Sequence, residues 1–277
     1  MAVTLSSPRT RISSNHQLLE TKRFTRHPNC CVRVAPWLLL ALSAAAAARA
    51  QMAIRLSKET DQAFESYVRN VEARREWEAS AHNTSAALRI APWSGKTPIS
   101  VPHGLIHDWI ASAEIPGATV AQTLALFQDY DNYKSVFSPE VIESKTLSHE
   151  GKIWRARLRL RRKNIVTVVL DTDYEVEYTP VGADSWAILS RSIRVAEIQD
   201  GKELPPGTGN GYLWRLNAYW LLAPRQGGVY LECRSVSLSR DVPVALRWLI
   251  TPMVARVPRD SLQATLEEAR RNLQHQY

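Results

Sequence analysis

Cysteine is scarce in this sequence of 277 residues, and its scarcity limits how the chain can be stabilised. Two of the three cysteines, Cys30 and Cys31, precede an apolar segment near the N-terminus, which leaves Cys233 as the one thiol in the remainder. One thiol cannot close an internal disulfide, so the fold must depend on a hydrophobic core. Cys233 lies in an apolar stretch, and we predict a small buried side chain there instead of a catalytic thiol.

Several sequence signatures of chemistry are also missing. No glycine-rich phosphate loop leads into a helix, because residues 205–211 lead into a predicted strand, and no Gly-x-Ser-x-Gly motif occurs. His103 and His107 lie in a predicted strand, where they would be about 13 Å apart, too far to share a metal ion. Asp129 and Asp131 are interpreted as turn residues. We therefore predict no catalytic residue, no metal site and no cofactor.

An excess of charge of one sign is confined to the N-terminal segment. The formal net charge of the whole chain is +8, but the first 50 residues contain seven basic residues and one acidic residue. The rest of the chain therefore carries only +2. A balance this close to neutral does not favour a polyanionic partner, and we predict no binding to nucleic acid.

The N-terminal segment has the organisation of a secretory signal peptide. A basic, Ser- and Thr-rich stretch at residues 9–33 precedes an apolar run at residues 36–48, and Ala48-Arg49-Ala50 is a small-x-small cleavage site. The run is shorter than the ~20 apolar residues that a membrane-spanning helix needs. We therefore predict that residues 1–50 are cleaved and that the protein is exported, either periplasmic or secreted. An uncleaved membrane anchor is the alternative.

Two further regions follow the leader: an N-terminal helix and connector at residues 51–102, and a larger domain at residues 103–277. The helix, at residues 57–81, has a narrow apolar stripe, which predicts an accessory helix lying on the larger domain; a partner-binding helix is the alternative. The larger domain is predicted to contain a strand at 104–115, helical segments at 118–129 and 129–137, strands at 141–148, 152–161, 164–178, 186–198, 212–222 and 229–240, and a helix at 241–273.

The predicted C-terminal helix has one apolar stripe and two interruptions. Its stripe follows a spacing of i, i+4, i+7 and i+11, at Leu262, Leu266, Ala269 and Leu273. Pro252 and Pro258 are predicted to break its first part, because proline lacks the N–H group that a helix interior uses.

Two neighbouring predicted strands carry opposite charges on one face. Alternation places four arginines on one side of the first strand and four acidic residues on one side of the next. The basic set is Arg155, Arg157, Arg159 and Arg161, and the acidic set is Asp171, Asp173, Glu175 and Glu177. This pattern predicts a solvated outer face with cross-strand ion pairs, and a docking surface is the alternative.

The order of strand, two short helices, six antiparallel strands and a long helix resembles the START/Bet v 1-like superfamily, including its polyketide cyclase/dehydrase-type members. The resemblance covers about residues 104–273 and rests on three motifs: Ile115-Pro-Gly-Ala-Thr-Val120, Asp129-Tyr-Asp-Asn-Tyr133, and Ser239-Arg-Asp-Val-Pro243 followed by Trp248 and Pro252. It implies an α+β helix-grip fold, in which a curved antiparallel sheet wraps around the C-terminal helix, here with an extra N-terminal helix. It also implies a deep cavity between sheet and helix, and no catalytic residue that maps onto this chain.

The last predicted hairpin offers the best candidates for polar ligand contacts. Arg215, Asn217, Tyr219 and Glu232 share one face by alternation. Either the apolar face of the hairpin points inward and these four face water, or a one-residue bulge turns them into the cavity. Arg194, which is in register with Trp186 if no bulge intervenes, and Trp154 complete the candidate set as a buried charge and a cavity wall.

These observations favour an exported protein that binds an apolar or amphipathic small molecule, such as a lipid or an isoprenoid-like compound. The first part of the C-terminal helix would be the lid, and transient contact with a membrane is expected. One alternative is a cyclase/dehydratase-type enzyme with Glu232 or a tyrosine as acid/base, which requires the polar set to lie inside. The other is an interaction module that binds no small molecule.

Overall fold

One ten-stranded sheet forms the centre of the fold in the computed structural model. The structure describes residues 54–74, 87–163, 167–241 and 247–274, and the side chains of residues 247–255 are not included in that description. The predicted leader at residues 1–50 and the second part of the predicted helix at 57–81 lie outside the described residues.

The sheet is antiparallel throughout, with the strand order β2-β4-β12-β11-β8-β7-β6-β5, while β3 pairs with β4 and β9 pairs with β8. A separate two-stranded ribbon joins β1 to β10. The strands are β1 (Ile54–Arg55), β2 (Arg89–Pro92), β3 (Ile99–Val101), β4 (Gly104–Pro116), β5 (Val141–Glu150), β6 (Ile153–Lys163), β7 (Thr167–Gly182), β8 (Ser185–Gln199), β9 (Lys202–Glu203), β10 (Thr208–Gly209), β11 (Arg215–Arg225) and β12 (Gly228–Arg240). The helices are α1 (Lys58–Arg74), α2 (Val120–Gln128), α3 (Tyr133–Val136) and α4 (Arg247–Gln274).

Three helices cover one face of the sheet, which we call the inner face. One continuous apolar cluster includes Ala111 on β4, Val141 on β5, Phe127 on α2 and the stripe of α4. Because β4 and β5 are six strand positions apart, a shared cluster requires the sheet to curve around the helices. The predicted stripe of α4 is confirmed: Leu262, Leu266, Ala269 and Leu273 are all buried. The α+β helix-grip architecture predicted from the sequence is therefore correct.

The break predicted in the C-terminal helix is wrong. Helix α4 continues through both Pro252 and Pro258 without interruption. A proline ring fixes φ near the helical value, so the cost at each position is a missing hydrogen bond and crowding of the preceding turn. Here the chain keeps its helical path across both positions.

Helix α1 covers the opposite face of the sheet, which we call the outer face. The helix begins after Ser57, whose Oγ accepts a hydrogen bond from the Thr60 N–H at 3.2 Å and so caps the first turn. Phe64, Val68 and Val71 are buried against strand residues that include Ile106, Tyr219, Val236 and Leu238. The prediction of an accessory helix that lies on the larger domain is confirmed for the described part of the helix.

A buried ion pair lies beneath α1. Arg234 on β12 contacts Asp108 on β4 through two hydrogen bonds, Nε to Oδ1 at 3.0 Å and Nη2 to Oδ2 at 2.6 Å. The Tyr67 hydroxyl of α1 donates to Asp108 Oδ2 at 2.6 Å, and the Trp93 ring lies 4.1 Å from Arg234 Cζ. Both charged side chains are almost completely shielded from solvent, so each depends on the other for compensation.

The outer face of β6 and β7 carries the predicted ladder of ion pairs. Arg155 pairs with Glu175 at 2.9 Å, and the next pairs are Arg157–Asp173 and Arg159–Asp171, both at 2.6 Å. The hydrogen bonds from Arg159 lower the pKa of Asp171. The predicted cross-strand ion pairs are confirmed. The arginines keep a third to a half of their side-chain surface in water, whereas Asp171 and Asp173 are buried, so the face is solvated only in part.

The two edges of the sheet differ from its interior strands. Edge strand β5 shifts register twice along its pairing with β6, once near Val141 and once near Thr146. Edge strand β2 has four residues and ends at Pro92. Bulges, shortness and proline are all features that weaken a strand as a template for further pairing.

We expect Asp108→Asn to destabilise the fold much more than Glu175→Gln. Removing the charge of Asp108 takes away the buried ion-pair partner of Arg234, at a cost of about 3–5 kcal/mol. Glu175 belongs to a solvated pair, and its substitution should cost about 0–1 kcal/mol. Urea unfolding at neutral pH measures both values. Equal losses for the two variants would contradict the assignment of the Asp108–Arg234 pair as the buried one.

Candidate functional site

A row of small side chains crosses the inner face of the sheet. The row follows the strand register from Trp109 on β4 to Trp154 on β6, and every neighbouring pair in it is a cross-strand pair. Its members between the two tryptophans are Ser235, Ala218, Ser190 and Val176. None of these four is large, so the middle of the inner face has a depression with an aromatic ring at each end.

The burial of β11 indicates unfilled space on the inner side. Asn217 and Tyr219 point to the outer face and are 5% and 0% exposed, whereas Leu216 and Ala218 point to the inner face and are half-buried. Ser190 on β8 and Leu158 and Leu160 on β6 are half-buried as well. A close-packed core would bury all of these side chains. The inner face therefore lines space that solvent reaches, and most of its lining is apolar or small.

One end of the inner face is polar, buried and uncharged. His107 is followed on the same face of β4 by Trp109, and Ser237 and Ser235 lie directly across from them on β12. His107 Nε2 lies 3.1 Å from Ser239 Oγ. Burial lowers the pKa of His107 to about 4, so its imidazole is neutral near pH 7.

The His107–Ser239 contact does not have the geometry of an activated nucleophile. Activation of a serine needs a histidine that accepts its proton and a third group that orients the ring. Ser239 Oγ lies 3.2 Å from the Arg240 carbonyl oxygen, to which it donates. Within the described ranges, no group lies in hydrogen-bond distance of His107 Nδ1. The chemistry of this end of the sheet is therefore that of a binding surface.

The four polar residues of the last hairpin lie on the outer face. The pairing of β11 with β12 has no bulge, so alternation alone decides their side. Arg215 contacts Asp61 of α1 at 2.9 Å, and the Tyr219 hydroxyl donates to Glu72 of α1 at 3.1 Å. The expectation that this set turns into the cavity is wrong. The expectation that it faces water is also wrong, because α1 contacts Arg215 and Tyr219, and Asn217 and Glu232 are buried.

The remaining two members of the set, Asn217 and Glu232, are engaged within the outer face. The Asn217 amide donates to the Tyr219 hydroxyl at 3.4 Å, and the Tyr230 hydroxyl donates to Glu232 Oε2 at 2.6 Å. Glu232 is 2% exposed. An acid/base role for Glu232 inside the cavity requires its side chain to face inward. The side chain lies on the outer face, so this condition is not met.

Arg194 is also on the outer face, and a bulge is the reason. Asp173 pairs with Arg194 but the next residue of β7, Tyr174, pairs with Ser192, so Ile193 is the extra residue. Ile193 is 54% exposed. The bulge shifts Arg194 away from the face of Trp186, and Arg194 forms an ion pair with Glu203 instead.

Trp154 is the one member of the predicted set that lies on the inner face. Its ring stacks on His149 with 3.8 Å between centroids. The stacked pair lines a groove of about 420 Å³ together with Tyr178 and Trp186, at the end of the sheet where the β5–β6 hairpin turns. Trp154 is thus placed as a wall, the role predicted for it, while its contact with a ligand stays a prediction.

Sequence reasoning missed the polar end at His107 and Trp109. The signal was present in Ser235, Ser237 and Ser239, three hydroxyl side chains that alternate with Val236 and Leu238 along β12. His107 was considered for a metal site alone. In the part of the chain that the structure describes, no three His, Cys, Asp or Glu side chains are grouped as metal ligands. None of the helices in the described ranges has the length and apolarity to cross a membrane.

We expect His107 to make the fold less stable as the pH is lowered. The unfolded chain protonates this histidine near pH 6.5 and the folded chain only near pH 4, so the unfolded state binds more protons between these values. From pH 6.5 to 4 the folded state should lose about 3 kcal/mol through this group. Urea unfolding across this range should show the loss in the wild type and not in His107→Leu. Parallel pH profiles of the two proteins would contradict a buried neutral imidazole.

Comparison with known proteins gives no family assignment. No protein-family model matches the chain, and no curated protein matches it. Among solved structures it is similar to a STAR-related lipid transfer protein from Xanthomonas axonopodis (17% identity, 68% of this chain and 98% of that chain covered, TM-score 0.43). It is also similar to the Zhui aromatase/cyclase from Streptomyces sp. R1128 (11%, 61% and 94%, TM-score 0.45) and to human STARD10 (8%, 79% and 82%, TM-score 0.42).

Similarities of this size carry no argument about function. The fold is identified from the geometry of this chain itself. The features that identify it are the antiparallel strand order, the two short helical segments after β4, and the long helix packed on the inner face. The strand order and the C-terminal helix of this chain are those of the START/Bet v 1-like helix-grip fold.

Proposed function

We propose that the protein binds an apolar or amphipathic small molecule, lipid or isoprenoid-like, between the inner face of the sheet and α4. The observation that carries this proposal is the contrast along β11, where inner-face residues Leu216 and Ala218 keep accessible surface while their outer-face neighbours are buried. Ligand sites are concave and mostly apolar with a few polar groups, and the inner face has that composition.

The mechanism is sequestration from water. Burying about 400 Å² of apolar ligand surface contributes about 10 kcal/mol before the entropic cost of association is subtracted. Only part of this remains as affinity, and micromolar binding is a reasonable expectation. Aromatic rings at Trp109 and Trp154 would bound the ligand at the two ends of the row of small side chains.

Helix α4 is the element we propose to open. Pro252 and Pro258 each remove one backbone hydrogen bond from its first half, whereas the stripe from Leu262 to Leu273 is firmly buried. Movement confined to the first half would admit a ligand without unpacking the second half.

The alternatives have weaker support. The enzyme hypothesis assigned acid/base chemistry to Glu232 or a tyrosine, and Glu232 is buried on the outer face with the Tyr230 hydroxyl as its donor. The interaction-module hypothesis assigned docking to the charged face of β6 and β7, where the arginines and carboxylates are paired with one another. No observation on either group favours a second function.

Native mass spectrometry of protein purified without detergent, followed by organic extraction and lipid mass spectrometry, tests the proposal. We expect a co-purified apolar molecule at near-stoichiometric amount in the wild type. Leu216→Trp should abolish it, because the larger ring fills the space on the inner face. Ile193→Trp, which adds the same ring at an exposed position, should retain it.

The proposal fails if wild-type protein is empty and also fails to bind an added uncharged dye. Retention of the ligand by a folded Leu216→Trp variant would place the binding site elsewhere. Thermal unfolding of both variants controls for loss of structure, because neither substitution removes a buried polar contact.

Export is a separate proposal and rests on the sequence of residues 1–50. Carriage of a lipid between membranes would fit an exported protein that contacts membranes transiently. On expression in a host with a secretory pathway, we expect the mature protein in the exported fraction with Gln51 as its first residue, as read by intact mass. Replacing Ala48 and Ala50 by larger residues should block the cleavage. A full-length protein that stays in the cytosol would contradict this proposal and leave the binding proposal untouched.

A further inference from the structure

Two polar atoms on the inner face are buried and have no hydrogen-bond partner among the described residues. They are His107 Nδ1 and Trp109 Nε1. The two residues are next neighbours on one face of β4, with Cα atoms about 6.7 Å apart. A buried polar atom without a partner is unfavourable, and native proteins rarely leave such atoms unpaired without a reason. A molecule that supplied both partners would therefore gain binding free energy at this place.

The hydrogen-bond network determines which of the two atoms is a donor. Ser239 has one hydroxyl proton, and Oγ donates it to the Arg240 carbonyl oxygen at 3.2 Å. With the hydroxyl proton in that position, Ser239 Oγ accepts from His107 Nε2 at 3.1 Å, and the tautomer on which our proposal rests carries the ring proton on Nε2. His107 Nδ1 consequently presents a lone pair, and the Trp109 indole presents an N–H. The site offers one acceptor and one donor, both uncharged.

We propose, resting on the binding function proposed above, that His107 and Trp109 form a subsite for an uncharged hydroxyl group of the ligand. The ligand O–H donates to His107 Nδ1, and ligand oxygen accepts from the Trp109 Nε1–H. A ketone satisfies only Trp109, because it has no proton to donate. A carboxylate or a phosphate ester at neutral pH also lacks the proton that Nδ1 needs, and its charge would lose its hydration.

The surroundings of the subsite are consistent with a neutral ligand group. Ser235 and Ser237 face it from β12 and carry no charge. Among the described residues of the inner face, the charged side chains of Glu197 and Arg162 have their partners outside the subsite. Glu197 accepts from the backbone N–H groups of Asn210 at 2.7 Å and Tyr212 at 3.2 Å, and Arg162 forms an ion pair with Glu140.

The two atoms are covered by protein, so a ligand must displace whatever covers them. Recognition is therefore linked to displacement of that cover, because only a ligand that pairs both atoms recovers the free energy lost by leaving them unpaired.

A dye-displacement titration with four matched probes tests this inference. The purified protein, stripped of endogenous lipid, is loaded with the uncharged dye N-phenylnaphthylamine and titrated with dodecanol, dodecanone, dodecanoate and dodecane. We expect dodecanol to bind about tenfold more tightly than dodecane, with dodecanone between them and dodecanoate weaker than dodecanol.

Two variants separate the donor from the acceptor. His107→Leu should weaken dodecanol about fivefold and leave dodecanone unchanged, because only the alcohol uses Nδ1. Trp109→Phe keeps the aromatic bulk but removes the N–H, and it should weaken both probes by a similar factor. Trp214→Phe, a matched substitution in the outer-face cluster with α1, should change neither.

The outcomes distinguish this subsite from the proposed function as a whole. If dodecanol and dodecane bind equally, or if a folded His107→Leu variant binds dodecanol normally, the subsite is wrong while apolar binding stands. Preference for dodecanoate would also overturn it. If neither the dye nor any probe binds, the binding function fails and the subsite fails with it. Near-ultraviolet circular dichroism establishes that each variant is folded before its titration is read.

Discussion

The central strands of the sheet are covered by helices on both faces, and the helices on the two faces make different kinds of contact with the strands. Under α1, strand residues form charged and hydrogen-bonded contacts with the helix, such as Arg215 with Asp61 and Tyr219 with Glu72. Under α4, the same strands present small and apolar side chains that leave space. Because residues alternate strictly between the faces, a single strand such as β11 contributes to rigidity with one set of side chains and to binding with the other.

The buried Asp108–Arg234 pair shows how the two faces are kept distinct. A charged pair inside a protein adds little to stability relative to an apolar pair, but it penalises any arrangement that separates or misplaces its members. A slip of β4 or β12 by one residue would bring one of the two charges to the inner face and separate it from its partner. The pair therefore fixes the register at the place where Trp109 and His107 must point inward.

Much of the fold was predictable from the sequence, because the spacing of apolar and charged residues indicates which side of a helix or strand is buried. The stripe of α4 was predicted residue by residue, and so were the charged faces of β6 and β7, although Glu177 pairs with Lys152 and Arg161 lies opposite Val169. The position of Arg194 was not predictable, since it depends on a single extra residue at Ile193. Alternation correctly grouped Arg215, Asn217, Tyr219 and Glu232, but the sequence could not indicate that α1, more than 140 residues away from Tyr219, contacts two of them. The polar end at His107 depends on pairing between β4 and β12, which no local pattern reports.

The irregular edges of the sheet bear on how this protein behaves at high concentration. A ten-stranded open sheet exposes two rows of backbone groups, and a flat edge invites pairing with another molecule. Strand β5 departs from regular pairing twice, and β2 ends after four residues at a proline. Neither edge offers a long regular template. A chain whose inner face must stay open to admit an apolar molecule is thereby protected from amyloid-like association at the positions where such association would begin.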